Sequence, residues 1–348
     1  MVRIYPSVKI VWCSRAKWCR YINVVSIIFV SSLAASVYAQ AAGDWVDPSP
    51  HKVTFVLVDT DVRLEVLDWG GTGRPLVLLA GGGNTAHVFD DFALQLKNQN
   101  HVYGITRRGF GASSYAGSDY ASDRLGDDVV AVLDALKLTK PVLVGHSLAG
   151  LEMSSVATRY PKRIAGAVYL DAAYAYAFDN GQSPSLSEYQ GATPRGPSPG
   201  PDDLASFAAF TKWNARTNGF AMPESEFRQN WETSPDGHVG KRRIPQAAGK
   251  IMQPGTLKKY AAIPVPALVI FAVPHDLGPW LKTADVTAQE TAKKFAALDS
   301  SLTERQAKIV EEGVPTAHVI RIANASHFLY LSHQAEVLRE IRAFLNRL

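Results

Sequence analysis

Short apolar runs alternate with longer segments of helical periodicity along most of this 348-residue chain. Residues 75–80, 141–145 and 265–273 are apolar almost throughout, a pattern typical of strands buried on both faces of a parallel sheet. Residues 53–58 and 62–67 flank an Asp-Thr-Asp turn and predict an antiparallel pair. Strands that alternate with helices predict an α/β fold, with a mostly parallel central sheet flanked by helices. The remaining predicted elements are strands at residues 102–106, 164–171 and 318–322 and helices at residues 123–136, 151–160, 283–312 and 334–348.

The alternation stops between residues 172 and 263. This stretch has no buried-strand pattern, but it contains a Pro/Ser/Gly-rich loop and several aromatic residues, among them Tyr174, Tyr176, Phe178, Trp213 and Trp231. We predict a helical cap inserted between the sixth and seventh strands, so that residues 40–171 and 264–348 form the two parts of the core. Two interpretations of the aromatic residues remain open: they line a pocket for a hydrophobic substrate, or they form the core of the cap itself.

The first 39 residues differ in composition from the rest of the chain. Residues 1–20 are basic and carry no carboxylate, residues 21–39 are uncharged, and the run ends in Val37-Tyr38-Ala39, with small residues at the positions that cleavage requires. This pattern predicts a secretory signal peptide and therefore a secreted or periplasmic protein. A membrane anchor is the alternative, because the uncharged run is nearly long enough to span a bilayer. Serine and alanine dilute its second half and no basic cluster follows, which favours cleavage.

Without this leader the chain keeps 31 basic and 32 acidic residues. The near-neutral balance gives no reason to expect nucleic-acid binding, and we expect a small-molecule substrate and no stable membrane association after cleavage. Both cysteines, Cys13 and Cys19, lie in the leader, which excludes disulfides and cysteine nucleophiles elsewhere. The chain has no H-x-H or H-E-x-x-H motif, so we expect no metal site. The sequence predicts no oligomeric state.

The segment Gly145-His146-Ser147-Leu148-Ala149-Gly150 follows a predicted buried strand and precedes a predicted helix. A sharp turn at such a point exposes a serine hydroxyl and directs backbone N–H groups at its target, which makes Ser147 a candidate nucleophile. Ala149 stands where a G-x-S-x-G motif has its second glycine, and it meets the demand for a small side chain. The alternative is that Ser147 only caps the helix.

A serine nucleophile needs a base, because its hydroxyl is protonated at neutral pH. His327 is the best candidate, since it follows the last predicted strand and lies at the same sheet edge as Ser147. Asp276 follows the preceding strand and is predicted to orient His327, with Asp171 as the rival acid and an ordinary turn as the alternative role of Asp276. The order Ser147, Asp276, His327 matches one known arrangement of catalytic triads.

Backbone donors are needed for the oxyanion of the reaction. The N–H of Leu148 is one candidate, and the glycine loop after strand 75–80 supplies the other, most plausibly at Gly82. The neighbouring Gly83 stays open as an alternative donor. A phosphate-binding role for this loop is weak, because it has neither G-x-G-x-x-G spacing nor a following Lys-Ser/Thr.

These pieces together resemble the α/β-hydrolase fold family. The matching segments are Leu-Ala-Gly-Gly-Gly at 79–83, Arg-Arg-Gly-Phe-Gly-Ala-Ser-Ser at 107–114, the elbow at 145–150, Asp276 and Ala-Ser-His at 325–327. The resemblance implies an α/β-hydrolase fold and a cofactor-independent mechanism in which Ser147 attacks a carbonyl. Gly83, His146 and Tyr174 are the predicted substrate contacts.

The expected activity is hydrolysis of a carboxylic ester of a small, hydrophobic substrate through an acyl-enzyme. Serine as nucleophile argues against the epoxide hydrolase and haloalkane dehalogenase branches, which use aspartate. The alternatives are cleavage of a lactone, amide or carbon–carbon bond, perhydrolysis of a carboxylic acid, and a non-catalytic binding protein with the same fold.

Overall fold

An eight-stranded sheet forms the centre of the protein in a computed structural model that describes residues 45–185, 187–188, 194–253 and 255–348. The strands lie in the order β1-β2-β4-β3-β5-β6-β9-β10. Their bounds are β1 Lys52–Asp59, β2 Val62–Gly70, β3 Arg74–Leu79, β4 Asn100–Ile105, β5 Val142–His146, β6 Gly166–Leu170, β9 Ala267–Ala272 and β10 Ala317–Ile322. The predicted buried strands are confirmed, with ends that differ by one to three residues.

The sheet is parallel except at one edge. β1 pairs with β2, and β2 pairs with β4, in antiparallel fashion, whereas the pairs from β4 through β3, β5, β6 and β9 to β10 are parallel. Every residue of β5, β6 and β9 is buried, which accounts for their uninterrupted apolar sequences. The carboxyl ends of these central strands therefore meet at one edge, where the loops that follow them come together.

Helices cover both faces of the sheet. Apolar residues of α2, α3 and α7 pack on one face, and those of α1 and α9 pack on the other. The bounds are α1 Asp90–Leu96, α2 Ser122–Ala135, α3 Gly150–Arg159, α7 Val286–Gly313, α8 Leu329–Ser332 and α9 Gln334–Leu345. In α2, α7 and α9 the buried residues recur along one face of the helix, as the helical periodicity predicts, whereas residues 150–157 of α3 are all buried.

An insertion of mixed structure lies between β6 and β9. It contains the helices α4 Pro201–Leu204, α5 Phe207–Asn218 and α6 Glu224–Asn230 and the two strands β7 Trp231–Thr233 and β8 Val239–Arg242. The small antiparallel sheet of β7 and β8 is an addition to the predicted helical cap, because its short and mostly exposed strands give no buried-strand pattern. The bounds 172–263 for this cap remain a prediction.

The described residues form one compact unit, Trp45–Leu348. The predicted signal peptide at residues 1–39 lies outside the described residues. Within the part that is described, every helix is too short or too polar to cross a bilayer.

Candidate active site

Ser147 lies at the sharp turn between β5 and α3. Its φ of 50° is in the left-handed region, which costs energy for a residue with a side chain and is typical of a strained functional turn. A Cβ on Gly145 would lie 2.1 Å from Sδ of Met153, and one on Gly150 would lie 2.0 Å from the carbonyl oxygen of Ala172. The turn therefore requires glycine at 145 and 150. Gly150, one residue after Ala149, gives the space that the second glycine of the G-x-S-x-G motif would give.

The structure brings His327 to Ser147. His327 lies in the loop between β10 and α8, and its Nε2 is 2.8 Å from Oγ of Ser147. The two atoms are within hydrogen-bonding distance, so the imidazole is placed to accept the hydroxyl proton.

The carboxylate that holds His327 is Asp171, and the prediction of Asp276 in that position is wrong. Oδ2 of Asp171 lies 2.6 Å from Nδ1 of His327. Asp276 is exposed, and its carboxylate accepts the backbone N–H of Gly278 at 2.9 Å, which is the turn role considered as its alternative. Asp171 follows directly on β6, the neighbour of β5, and its φ of 48° marks another left-handed turn.

A second imidazole, which the sequence analysis did not identify, shares Asp171. Nε2 of His275 lies 2.6 Å from Oδ2 of Asp171, and its Nδ1 lies 2.5 Å from Oδ2 of Asp299 on α7. Burial lowers the pKa of His275, but the charge of Asp171 and the hydrogen bonds to both carboxylates outweigh it and raise the pKa to about 10. At neutral pH His275 is therefore a cation between two carboxylates.

This arrangement keeps Asp171 ionised although it is fully buried. Burial raises the pKa of its carboxyl group, but the charge of His275 and the hydrogen bonds from His275 and His327 lower it well below its usual range. The hydroxyl of Tyr174 and the backbone N–H of Ala272 donate to the other oxygen at 2.8 and 3.2 Å. Asp171 is thus a charged acceptor with four donors around it.

Asp171, His275 and His327 also lie close enough together to be considered as metal ligands. Each of the four ring nitrogens, however, lies 2.5–2.8 Å from a carboxylate oxygen or from the hydroxyl of Ser147, which is closer than two ligands of one ion approach each other. We therefore interpret them as a hydrogen-bonded chain that runs from Ser147 to Asp299.

His146, a predicted substrate contact, is buried against the loop that carries His327. Its side chain is buried, its Nε2 donates to the backbone oxygen of His327 at 2.9 Å, and its ring packs against those of His327 and Phe328. Burial lowers the pKa of His146 to about 3, so the ring is neutral. The residue supports the loop that carries His327.

The predicted oxyanion loop lies directly against the elbow. A Cβ on Gly81 would lie 2.8 Å from Nδ1 of His146 and 3.1 Å from Cβ of Ser147, and one on Gly82 would lie 3.3 Å from Cδ2 of Leu148. This close approach requires glycine at 81 and tolerates little more at 82. Backbone of the loop and of the elbow is therefore adjacent, as an oxyanion site demands.

Two buried side chains anchor this loop. Nη2 of Arg107 donates to the carbonyl oxygen of Ala80 at 2.7 Å, and Arg107 is itself held by Glu152 of α3. From the insertion, Glu226 accepts the amide of Asn84 at 2.8 Å. These contacts explain the Arg107–Ser114 motif in part: its first arginine fixes the loop beside the nucleophile.

A cavity of about 550 Å³ opens beside His327. Its apolar wall includes Tyr174, Tyr176, Phe220, Met222, Leu277, Phe295 and Phe328. His275, Asp276 and Asp299 are among its polar lining residues. The volume and the mostly apolar wall are typical of sites for small organic molecules.

A smaller cavity of about 270 Å³ borders the glycine loop. It is lined by Gly82 and Gly83 and shares Met222 and Phe328 with the larger cavity. Both interpretations of the aromatic residues of the insertion apply in part, because most of them line a cavity and Trp213 and Trp231 also pack on Phe210 within the insertion. Tyr174 and Tyr176 line the larger cavity and Trp213 and Trp231 the smaller one, whereas Phe178 is buried in the core beside the sheet.

The comparison with known families decides the classification. A family model described as "Alpha/beta hydrolase family" matches residues 76–340. The chain belongs to the alpha/beta hydrolase family. The predicted fold class, a mostly parallel sheet flanked by helices and interrupted by a helical insertion, is confirmed for this hydrolase.

Curated relatives have several activities. The chain is 32% identical over 123 residues to the bifunctional esterase/perhydrolase DCH of Acinetobacter calcoaceticus, and 30% identical over 108 residues to 3-oxoadipate enol-lactonase 2 of Acinetobacter baylyi. These matches cover 34% and 31% of this chain and only 44% and 40% of the relatives. Pimeloyl-[acyl-carrier protein] methyl ester esterase of Aeromonas salmonicida is 24% identical over 281 residues, covering 79% of this chain and 96% of the relative.

Solved structures show the same fold. E-2-(acetamidomethylene)succinate hydrolase superposes with a TM-score of 0.58 at 16% identity, covering 85% of this chain and 99% of that one. A bromoperoxidase from Bacillus anthracis gives a TM-score of 0.55 at 17% identity, covering 85% and 100%. At these identities the likeness concerns the fold.

Proposed function

We propose that this chain is a serine hydrolase that cleaves carboxylic esters of small, hydrophobic substrates through an acyl-enzyme. The observation that carries the proposal is the continuous hydrogen-bonded chain from Ser147 through His327 to Asp171. Each member has the chemistry its position requires, because a hydroxyl meets an imidazole and the imidazole meets a buried carboxylate.

The reaction follows from this geometry. Oγ of Ser147 attacks the ester carbonyl while its proton passes to Nε2 of His327, and Asp171 stabilises the imidazolium that forms. The N–H groups of Leu148 and Gly82 donate hydrogen bonds to the negative oxygen of the tetrahedral intermediate. His327 then gives the proton to the leaving alcohol, and a water molecule activated by the same imidazole releases the carboxylic acid.

The cavities support an apolar substrate. Both adjoin groups of the reaction, the larger at His327 and the smaller at Gly82, so a substrate ester has room on either side of the reacting carbonyl. The named activities of the curated relatives include a methyl ester esterase, an esterase/perhydrolase and a lactonase, which supports ester and lactone bonds as the first ones to test.

The first experiment tests the nucleophile. We expect the protein to hydrolyse p-nitrophenyl acetate and butyrate and to react with a fluorophosphonate label, and Ser147→Ala to lose both properties while the circular dichroism spectrum stays the same. A parallel panel of lactones, amides and carboxylic acids with peroxide assigns the preferred bond. Full activity in the Ser147→Ala variant would exclude Ser147 as the nucleophile.

The second experiment tests the larger cavity as the site of the hydrophobic group. Phe295 of α7 lines this cavity, so Phe295→Trp should reduce kcat/KM for octanoate esters by more than for acetate. Leu298→Trp is the matched control, because Leu298 lies on the same helix with its side chain exposed. Equal effects of Phe295→Trp on short and long esters would place the substrate elsewhere.

The location of the enzyme is part of the proposal. The leader pattern at residues 1–39 supports export to the periplasm or the medium, with a small molecule as its partner. Fractionation of cells that express the full chain, followed by N-terminal sequencing, tests this. Activity that stays in the membrane fraction would favour the anchor instead.

A further inference from the structure

A second cluster of imidazole and carboxylate groups lies apart from the chain of Ser147, His327 and Asp171. It joins Asp47 and His51, in the segment before β1, to His87 and Asp90 at the start of α1. The ligand atoms of these four residues all lie within 4.8 Å of one another. We propose that they bind one divalent transition-metal ion of the zinc type, a site that goes beyond the proposed esterase function.

The distances within the cluster fit ligands around an ion. Four ligands at tetrahedral positions about 2.0–2.1 Å from zinc lie about 3.3–3.4 Å from one another. Nδ1 of His87 is 3.2 Å from Oδ2 of Asp47 and 3.4 Å from Oδ2 of Asp90. Nδ1 of His51 is 3.0 Å from Oδ1 of Asp90, and Nε2, its other ring nitrogen, is 3.8 Å from Oδ2 of Asp47, so one of these two nitrogens would face the ion.

Direct His–Asp pairs elsewhere in this protein are closer. His101 lies 2.7 Å from Asp68, and His327 lies 2.6 Å from Asp171. Charge-assisted hydrogen bonds have such short distances, typically about 2.7–2.9 Å. The contacts of His87 with Asp47 and Asp90, at 3.2 and 3.4 Å, are wider than these, whereas the 3.0 Å contact of His51 with Asp90 is a hydrogen bond that an ion would replace.

Asp90 has the outer hydrogen bonds that orient a metal ligand, and the second ring nitrogen of His87 faces a carboxylate without a hydrogen bond to it. A ligating histidine usually turns its other ring nitrogen to a carboxylate or carbonyl. Nε2 of His87 faces Oε1 of Glu65 at 3.6 Å and has no hydrogen-bond partner. Asp90 is oriented by Nε1 of Trp69 at 3.1 Å and by the hydroxyl of Ser225.

Charge and donor type select the ion. Asp47, Asp90 and Glu65 bring three carboxylates to two imidazoles, and the side chains of His51, His87, Asp90 and Glu65 are at most 5% exposed. A buried excess of negative charge is costly unless a cation offsets it. Two imidazoles with two carboxylates suit zinc or cobalt, whereas magnesium and calcium prefer oxygen ligands and higher coordination.

The test uses the full chain, which is first dialysed against a chelator and then returned to Zn²⁺ or Co²⁺ with the unbound ion removed. We expect one Zn²⁺ or Co²⁺ per chain by elemental analysis, a visible absorption spectrum of tetrahedral Co²⁺, and a rise in Tm of about 5 °C with excess Zn²⁺. Mg²⁺ and Ca²⁺ at the same concentration should leave Tm unchanged.

Variants separate this site from binding at other histidines. His87→Gln should lose the bound ion and the Tm shift, and Asp47→Asn, at the most exposed ligand, gives a second variant whose fold is less at risk. His101→Gln is the matched control, because it removes a histidine paired with one aspartate, and it should keep the full metal content. Retention of the ion in both ligand variants overturns the proposal, as does wild-type protein without stoichiometric metal or with an octahedral Co²⁺ spectrum.

Discussion

Replacing Asp171 by asparagine tests how the active site fixes the protonation state of His327. Each carboxylate oxygen of Asp171 accepts from two donors: Oδ1 from Tyr174 and the N–H of Ala272, and Oδ2 from His275 and His327. Asparagine offers only one oxygen, so two of the four donors must face an NH₂ group instead.

The structure decides which two. The backbone N–H of Ala272 in β9 cannot become an acceptor, whereas an imidazole can change its tautomer. The amide oxygen therefore stays with Ala272, and the NH₂ group turns to the imidazoles. Nδ1 of His327 must then accept a hydrogen bond from the NH₂ group, so the ring proton moves to Nε2. A protonated Nε2 cannot take the proton of Ser147.

The loss expected from this tautomer is large. The equivalent exchange in serine proteases lowers kcat by about 10⁴-fold, which corresponds to a rise in the barrier of about 5 kcal/mol. We expect the same order of loss in kcat for p-nitrophenyl butyrate with Asp171→Asn, a small change in KM, and slower labelling by a fluorophosphonate.

Asp276→Asn is the matched control. Asp276 is exposed, and its carboxylate accepts a hydrogen bond from the N–H of Gly278 in its own turn, so its exchange should change kcat by less than about twofold. Thermal unfolding of both variants shows whether a loss of activity is caused by a loss of the folded structure. A folded Asp171→Asn protein with more than a tenth of wild-type kcat, or a collapse of kcat in Asp276→Asn, would refute the assignment of the acid.

Three further outcomes follow from the structure. The pKa of His275 in the folded chain is about 10, above its ordinary 6.5, so its contribution to stability is complete below about pH 6.5 and is lost as the pH rises through about 10. The free energy of unfolding, measured in urea across this range, should therefore decline in the wild type and decline less in His275→Gln. Parallel curves for the two proteins would contradict this reasoning. Gly150→Ala should lower the free energy of unfolding by about 1–3 kcal/mol, since its Cβ would meet the carbonyl oxygen of Ala172 at 2.0 Å, and unchanged denaturant midpoints would disprove the clash. A chelator should lower Tm but leave ester hydrolysis at 25 °C unchanged, because Ser147 and His327 supply nucleophile and base; a rate that falls in proportion to the metal removed would show otherwise.

Much of the fold could be predicted because burial on both faces leaves a clear signal. β3, β5 and β9 are apolar runs, and the helices around them have periodic apolar faces. The same logic located Ser147 and His327, since both follow predicted parallel strands and such ends meet at one edge. The strands β7 and β8 were not predicted, because short exposed strands have no such pattern.

The choice of acid was beyond the sequence. Asp171 and Asp276 both follow parallel strands at the correct edge, so position along the chain does not separate them. What distinguishes the two carboxylates is their surroundings in the fold. Asp171 lies at a left-handed turn and contacts His275, whereas Asp276 is exposed. The position of Asp299 on the apolar face of α7 was a signal in the sequence that this carboxylate is buried with a partner. That the partner is His275 was visible only in the tertiary structure.

The sequence by itself therefore determined the sheet, the sharp turn at Ser147 and the position of His327, because these depend on local pattern and on the rule that strand ends converge. Only the tertiary structure decided which carboxylate orients His327 and which residues meet in the proposed metal site. The pairs Asp47–His51 and His87–Asp90 lie on two separate segments, and neither pair alone has the spacing of a familiar motif. Contacts between distant segments depend on backbone direction and side-chain packing, and periodicity along the chain does not record these.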